Sequence, residues 1–150
     1  MYRKDIKVLD CTIRDGGLIN NYHFSIDFVK AVYSAACESR VDIMEIGKKL
    51  CESDEYTREK YGKWNFCNDD IKQVVESHEC ENPPLLAVMY DVGRVDVSSL
   101  LPEDQSAVGM VRTACYVPDI DKGLDLAKRN QGSWLSNHHQ HYGVLSSNRN

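Results

Sequence analysis

One hundred and fifty residues, 42% of them hydrophobic and carrying a net charge of −5, suit one globular domain with room for a sizeable core. The mildly acidic balance argues against nucleic acid held on a basic surface, and no apolar run is long enough to span a bilayer. Met1 to Asp5 leads straight into a strand without the apolar stretch of a secretory signal, which points to the cytoplasm.

In chain order, Ile6 to Cys11 is a short apolar run that predicts a first strand, closed by the turn signal Gly16-Gly17. A loop through Asn20, Asn21, Tyr22 and His23 follows. Ser25 is placed to cap a helix whose apolar face is Phe28, Val29, Val32, Tyr33 and Ala36. Val41 to Ile46 reads as a second strand with Glu45 near its C-terminal end, and Lys48 to Trp64 as a polar, partly helical segment. Asn68 caps a helix with Ile71, Val74 and Val75 on its face. Pro83-Pro84 ends that helix ahead of a third strand, Leu85 to Met89. Val95 to Leu101 reads as an irregular connection and Val108 to Ala114 as a fourth strand. Pro118-Asp119 starts a fourth helix with Ile120, Leu124 and Ala127 on its face. The six cysteines (Cys11, Cys37, Cys51, Cys67, Cys80 and Cys115) are scattered without a CxxC pair, so reduced and mostly buried thiols are expected.

Strand and helix alternate throughout, the pattern of a parallel sheet with crossover helices. In such folds ligands meet the C-terminal ends of the strands. Arg14 and Asp15 fall there, and two readings of them stand. One is a strand-end ion pair that only caps the sheet. In the other, Asp15 is a hard oxygen ligand for a divalent cation, Arg14 aims a fork of donors at a carboxylate or enolate, and the glycines let backbone approach the ligand.

Asp10-Cys11-Thr12-Ile13-Arg14-Asp15-Gly16-Gly17 resembles the first-strand signature of the metal-dependent aldolase and acyl-lyase superfamily. Its members include 4-hydroxy-2-oxovalerate aldolase, hydroxymethylglutaryl-CoA lyase and isopropylmalate synthase. The double glycine with Asn20-Asn21 is most similar to the "aldolase catalytic domain" branch. Met44 to Gly47, Tyr61 to Cys67, Val111 to Ala114 and Asp119 to Lys122 continue the resemblance in order, over about residues 5–129. It implies a (β/α)8 TIM barrel, of which about four βα units, the N-terminal half, are present here; a whole barrel takes roughly 250 residues. It also implies Mn2+ or Mg2+ bound by Asp15 together with two histidines of an H-x-H motif late in the barrel. A 2-oxo acid would chelate that ion, and Arg14 would stabilise the enolate left by carbon–carbon cleavage.

The resemblance places Glu45 near metal and substrate, against the alternative of a strand-end carboxylate held by local backbone. Asn20 and Asn21 either bind substrate oxygens or form the turn. Arg112 points into the barrel mouth or into a buried pair, with the mouth preferred; Tyr90 and Asp91 are weaker candidates of the same kind. Where relatives carry a histidine base the chain has Leu18, and His23 reads as a loop residue, so the base is unassigned. His139 and His141 mimic H-x-H but come too early in the chain, which suits adventitious metal binding.

Residues 130–150 lack helical or strand periodicity and are expected to form an irregular tail. Codons compatible with Asn130 to Gly143, read one base out of frame, can spell a helix end, a glycine turn and an apolar strand. The expectation is a frameshifted, truncated chain: a partial barrel domain over 1–129 and an out-of-frame tail. Its intact relatives would act as aldolase-type lyases on a small 2-oxo acid or aldehyde, while the fragment itself would be nearly inactive. A Claisen-type acyltransferase of the same superfamily, or a non-catalytic half-barrel, is the alternative. The first and fourth strands would be left with unpaired edges, and the inward faces around Val8, Ile43, Ala87 and Val111 without a facing half, which predicts self-association.

Overall fold

The structure is a computed structural model and describes residues 3, 5–68, 70–95, 105–134 and 143–147. Strands β1 (Leu9–Asp10), β2 (Ile43–Lys48), β3 (Leu85–Asp91), β4 (Met110–Tyr116) and β5 (Gly143–Ser147) form one parallel sheet, in chain order from edge to edge. The described helices are α1 (Thr12–Asn20), α2 (Ile26–Glu38), α3 (Arg58–Tyr61), α4 (Asp70–Val75) and α5 (Ile120–Trp134). The α/β class read from the alternating pattern is therefore present. Among the described residues no helix is long and apolar enough to cross a membrane, and all six cysteines are free thiols.

Alternation along the strands gives the sheet two distinct faces. Met44, Ile46, Leu86, Val88, Tyr90 and Val111 join the core with Val29, Tyr33 and Ala36 of α2 and Ile71 and Val74 of α4. Ser25 caps α2 by accepting the Phe28 N–H at 3.2 Å, as its sequence position predicts. The register puts Glu45 beside Ala87 and Arg112 beside Met89 on the other face. A β-bulge between Glu45 and Gly47 shifts the β2 register so that Lys48 pairs with Met89. Strict alternation would send Lys48 to the core side; the extra residue returns it to the Glu45 face.

Several expectations need correcting. Strand β1 is shorter than Ile6 to Cys11, and Ile6 and Val8 are exposed. Val111 belongs to the helix-packed core with its register partner Val88, not to the face of Ala87. The segment around Gly16-Gly17 is helical, not a turn. Asp10 starts α1 by accepting both the N–H (3.2 Å) and the hydroxyl (2.7 Å) of Thr12. A helical glycine costs only about 1 kcal/mol, which that anchor and burial of Ile13 offset. On α5, Ile120 and Leu124 are exposed, and the stripe Gly123, Leu126 and Ala127 turns inward instead.

The tail also departs from expectation. Helix α5 runs on to Trp134, and Gly143–Ser147 pairs with β4 through Arg112↔Gly143 and Thr113↔Val144. No proline interrupts the helix, and the edge of β4 offers backbone donors and acceptors that an added strand satisfies. The open edge expected on the fourth strand thus passes to β5 among the described strands. The connection read over Val95 to Leu101 lies, past Val95, outside the described residues.

Candidate functional site

Glu45 sits in the middle of β2 with no solvent exposure, where a lone carboxylate would be strongly disfavoured. Its Oε2 is met by two guanidinium groups. Arg14 Nε donates from α1 at 2.6 Å and Arg112 Nη1 from β4 at 2.7 Å, while the Cys11 thiol donates more weakly at 3.5 Å. Donors from two separate segments, the start of α1 and β4, therefore converge on one oxygen of β2. Helix α1 has to begin directly after β1 to bring Arg14 back over β2, which is why Asp10 and its grip on Thr12 belong to the architecture of the site.

Arg14 and Arg112 keep only 14% and 12% of their side chains exposed. Burial alone would weaken the charge of Arg14. The bond to Glu45 and the charges of Glu45 and Asp15 outweigh it, and the pKa is raised. Burial, then the charge of Glu45, pushes the Cys11 thiol up, so it stays protonated near neutral pH. Glu45 Oε1 is buried with no partner, a costly arrangement that positions prepared for a ligand tend to retain. Among the described residues the polar contacts of Arg112 run through Nη1.

Around this centre, Lys48 Nζ pairs with Asp91 Oδ2 at 3.0 Å across the ends of β2 and β3. The same ammonium lies 5.7 Å from the centroid of the Tyr22 ring. Beyond these strand ends opens a cavity of about 330 Å³, lined in part by Leu50, Cys51, Tyr56 and Arg94.

The sequence candidates fall into two groups. Arg14, Glu45 and Arg112 are brought together, with Arg112 in a buried ion pair on the sheet face opposite the helix-packed core. Asp15 lies on α1, mostly exposed and ion-paired to Arg14 Nη1. Asn21 is the left-handed C-cap of α1, and Asn20 Oδ1 is buried without a partner among the described residues. Asp91 pairs with Lys48, and Tyr90 points into the core. His23 is exposed and its Nε2–H donates to the Lys60 carbonyl at 3.4 Å. Sequence reasoning missed Cys11, Tyr22 and Lys48. Only Gly47, a possible bulge inside an apolar strand, could have hinted that Lys48 shares the face of Glu45.

A divalent cation such as Mg2+ takes about six oxygen ligands. Among the described residues no three His, Cys, Asp or Glu side chains gather to hold a metal, and Asp15, beside the cluster, is ion-paired to Arg14. The described residues therefore do not fit a complete metal site. His139 and His141 lie outside them.

No protein-family model matches the chain, and no curated protein matches it. Among solved structures it is similar to "the N-terminal domain of a putative aldolase from Bacteroides vulgatus", with 26% identity and a TM-score of 0.68. The alignment covers 93% of this chain and 44% of that one, so the chain spans less than half the length of the protein it resembles. The fold is aldolase-like over nearly its whole length.

Proposed function

We propose that the Arg14–Glu45–Arg112 cluster binds a 2-oxo acid and its enolate, and that the intact protein is an aldolase-type lyase acting on the carbon–carbon bond next to the oxo group. One observation carries this reading: two guanidinium groups are locked onto the same buried carboxylate oxygen, on the sheet face opposite the helix-packed core. The sequential strand order supports a further reading, that the chain is the first half of a (β/α)8 barrel, because doubly wound sheets reverse direction and barrels do not.

In this scheme Arg112 offers Nε and Nη2 as a planar fork to the substrate carboxylate. Arg14 faces the oxo oxygen, where negative charge grows as the bond breaks and its electron pair moves into the enolate. Glu45 does not react; it fixes both cations so that little reorganisation is needed when the charge appears. Asp15 is this chain's proposed contribution to a divalent-metal site completed from outside the described residues.

Calorimetric titration of the chain with pyruvate, and with oxalate as a planar enolate mimic, tests the reading. Binding should weaken about tenfold to a hundredfold in Arg112→Lys, which keeps the charge but loses the fork, and in Arg14→Ala. Unchanged affinity in both variants would refute it.

A further inference from the structure

Tyr22 has no role in the scheme so far, yet the chain goes to unusual lengths to hold it. Asn21 and Tyr22 both have positive φ, 52° and 61°, a region that a bulky aromatic residue rarely enters. The Tyr22 N–H caps α1 by donating to the Gly17 carbonyl at 2.9 Å. Its ring then folds back onto Gly17, where any Cβ would overlap it. On the other side Gly62, at φ 70°, passes so close to the Tyr22 carbonyl that a Cβ there would collide with it. Two glycines and a strained turn thus form a seat for one phenol. Backbone strain kept in this way clusters at sites of function.

Tyr22 is 96% buried, and among the described residues its hydroxyl has no hydrogen-bond partner. A buried O–H without a partner is unfavourable in a finished core, where side chains settle so as to satisfy it. This hydroxyl lies within electrostatic reach of Arg14, Asp91, Asp15 and Glu45, the groups of the candidate site. Lys48 overhangs the ring from the bulged end of β2. The phenol therefore lies beside Lys48 and within the electrostatic reach of Arg14 and Glu45.

We propose that the Tyr22 hydroxyl completes the enolate-binding site, donating a hydrogen bond to the oxygen that Arg14 faces. The inference rests on the reading of the cluster as a 2-oxo acid site. Burial pushes the phenol up to about 12, so it remains a protonated donor throughout the neutral range and is no base. Nothing is transferred; the O–H strengthens its hydrogen bond as charge develops on the oxygen, the manner in which an oxyanion hole works.

The test compares wild type, Tyr22→Phe and Arg112→Lys by titration of the full chain with oxalate and with pyruvate in metal-free buffer, alongside urea unfolding. Tyr22→Phe should weaken oxalate about tenfold or more while pyruvate changes less, since the donor answers to charge on the oxygen. Its unfolding midpoint should hold or rise, because the variant deletes an unsatisfied buried hydroxyl and keeps the ring. If Arg112→Lys loses oxalate but Tyr22→Phe retains wild-type affinity, the Tyr22 proposal falls and the site reading stands. If wild type binds neither anion, both fall. A Tyr22→Phe protein that loses both anions equally and unfolds at lower urea would make the residue structural and overturn the proposal.

Discussion

Glu45 concentrates the energetic risk of this protein on one side chain. Its carboxylate is fully buried, it neutralises two nearly buried arginines, and only one of its oxygens is satisfied. Removing one partner from such a group strands charge in a low-dielectric interior, at about 3–5 kcal/mol. Glu45→Ala should therefore lower the unfolding free energy by about that amount in urea titration. A triple variant, Arg14→Met, Glu45→Leu and Arg112→Met, should recover much of the loss while abolishing oxalate binding, because apolar replacement of a whole buried ion cluster is often neutral or better. Recovery of stability with binding intact would show that the cluster is not the site. Each of the three residues was identifiable from its position in a strand-like run and from the family resemblance. Their convergence on one oxygen was not, since it depends on α1 reversing over β2. Tyr22 was still less legible, because no periodicity marks a residue whose importance lies in a strained turn.

At the scale of elements, β1 shows how little holds the first strand. It pairs over two residues, and just before it the Asp42 side chain takes the Val8 N–H and the Lys7 ammonium, each at 2.8 Å. The Lys7 bond first, and then the Val8 bond, keep the Asp42 carboxyl below its ordinary value. A carboxyl depressed in the folded state adds stability above its unfolded pKa, near 4 on the usual scale, and that stability is lost as pH falls through the lowered folded value. Exchange of the Ile43 amide, which bonds to the Val8 carbonyl, should therefore accelerate on acidification beyond the intrinsic rate change. Asp42→Asn should make it fast at neutral pH as well. An Ile43 amide equally protected in both proteins would contradict this. The interior strands were the legible elements, because buried parallel strands read as continuous apolar runs. The glycine pair misled: a turn signal was outweighed by the Asp10 anchor and by burial of Ile13, and the bulge at Gly47 has no reliable sequence mark.

Across the whole molecule, sheet edges and scattered apolar groups remain open among the described residues. Leu18 and Ile19 on α1 are 68% and 91% exposed, and Ile120 and Leu124 on α5 are also exposed. Apolar surface of this kind next to sheet edges favours association. Sedimentation velocity should show a concentration-dependent rise in mean mass, reduced by Ile19→Lys with little change in stability; a monomer at all concentrations would count against self-association. Strand order and the alternation of elements were readable from sequence. The extension of α5 and the pairing of β5 were not, because both lie where hydrophobic periodicity fades and the demand of the β4 edge decides. The central claim is that Arg14 and Arg112 receive one small planar anion together, and Nε–H spectra of the 15N-arginine-labelled chain during oxalate titration test it most directly. The account predicts that the Arg14 and Arg112 signals shift together and saturate with one shared dissociation constant while Arg58 and Arg94 stay fixed. Signals of Arg14 and Arg112 that do not move, or that move no more than those of the surface arginines, would contradict it.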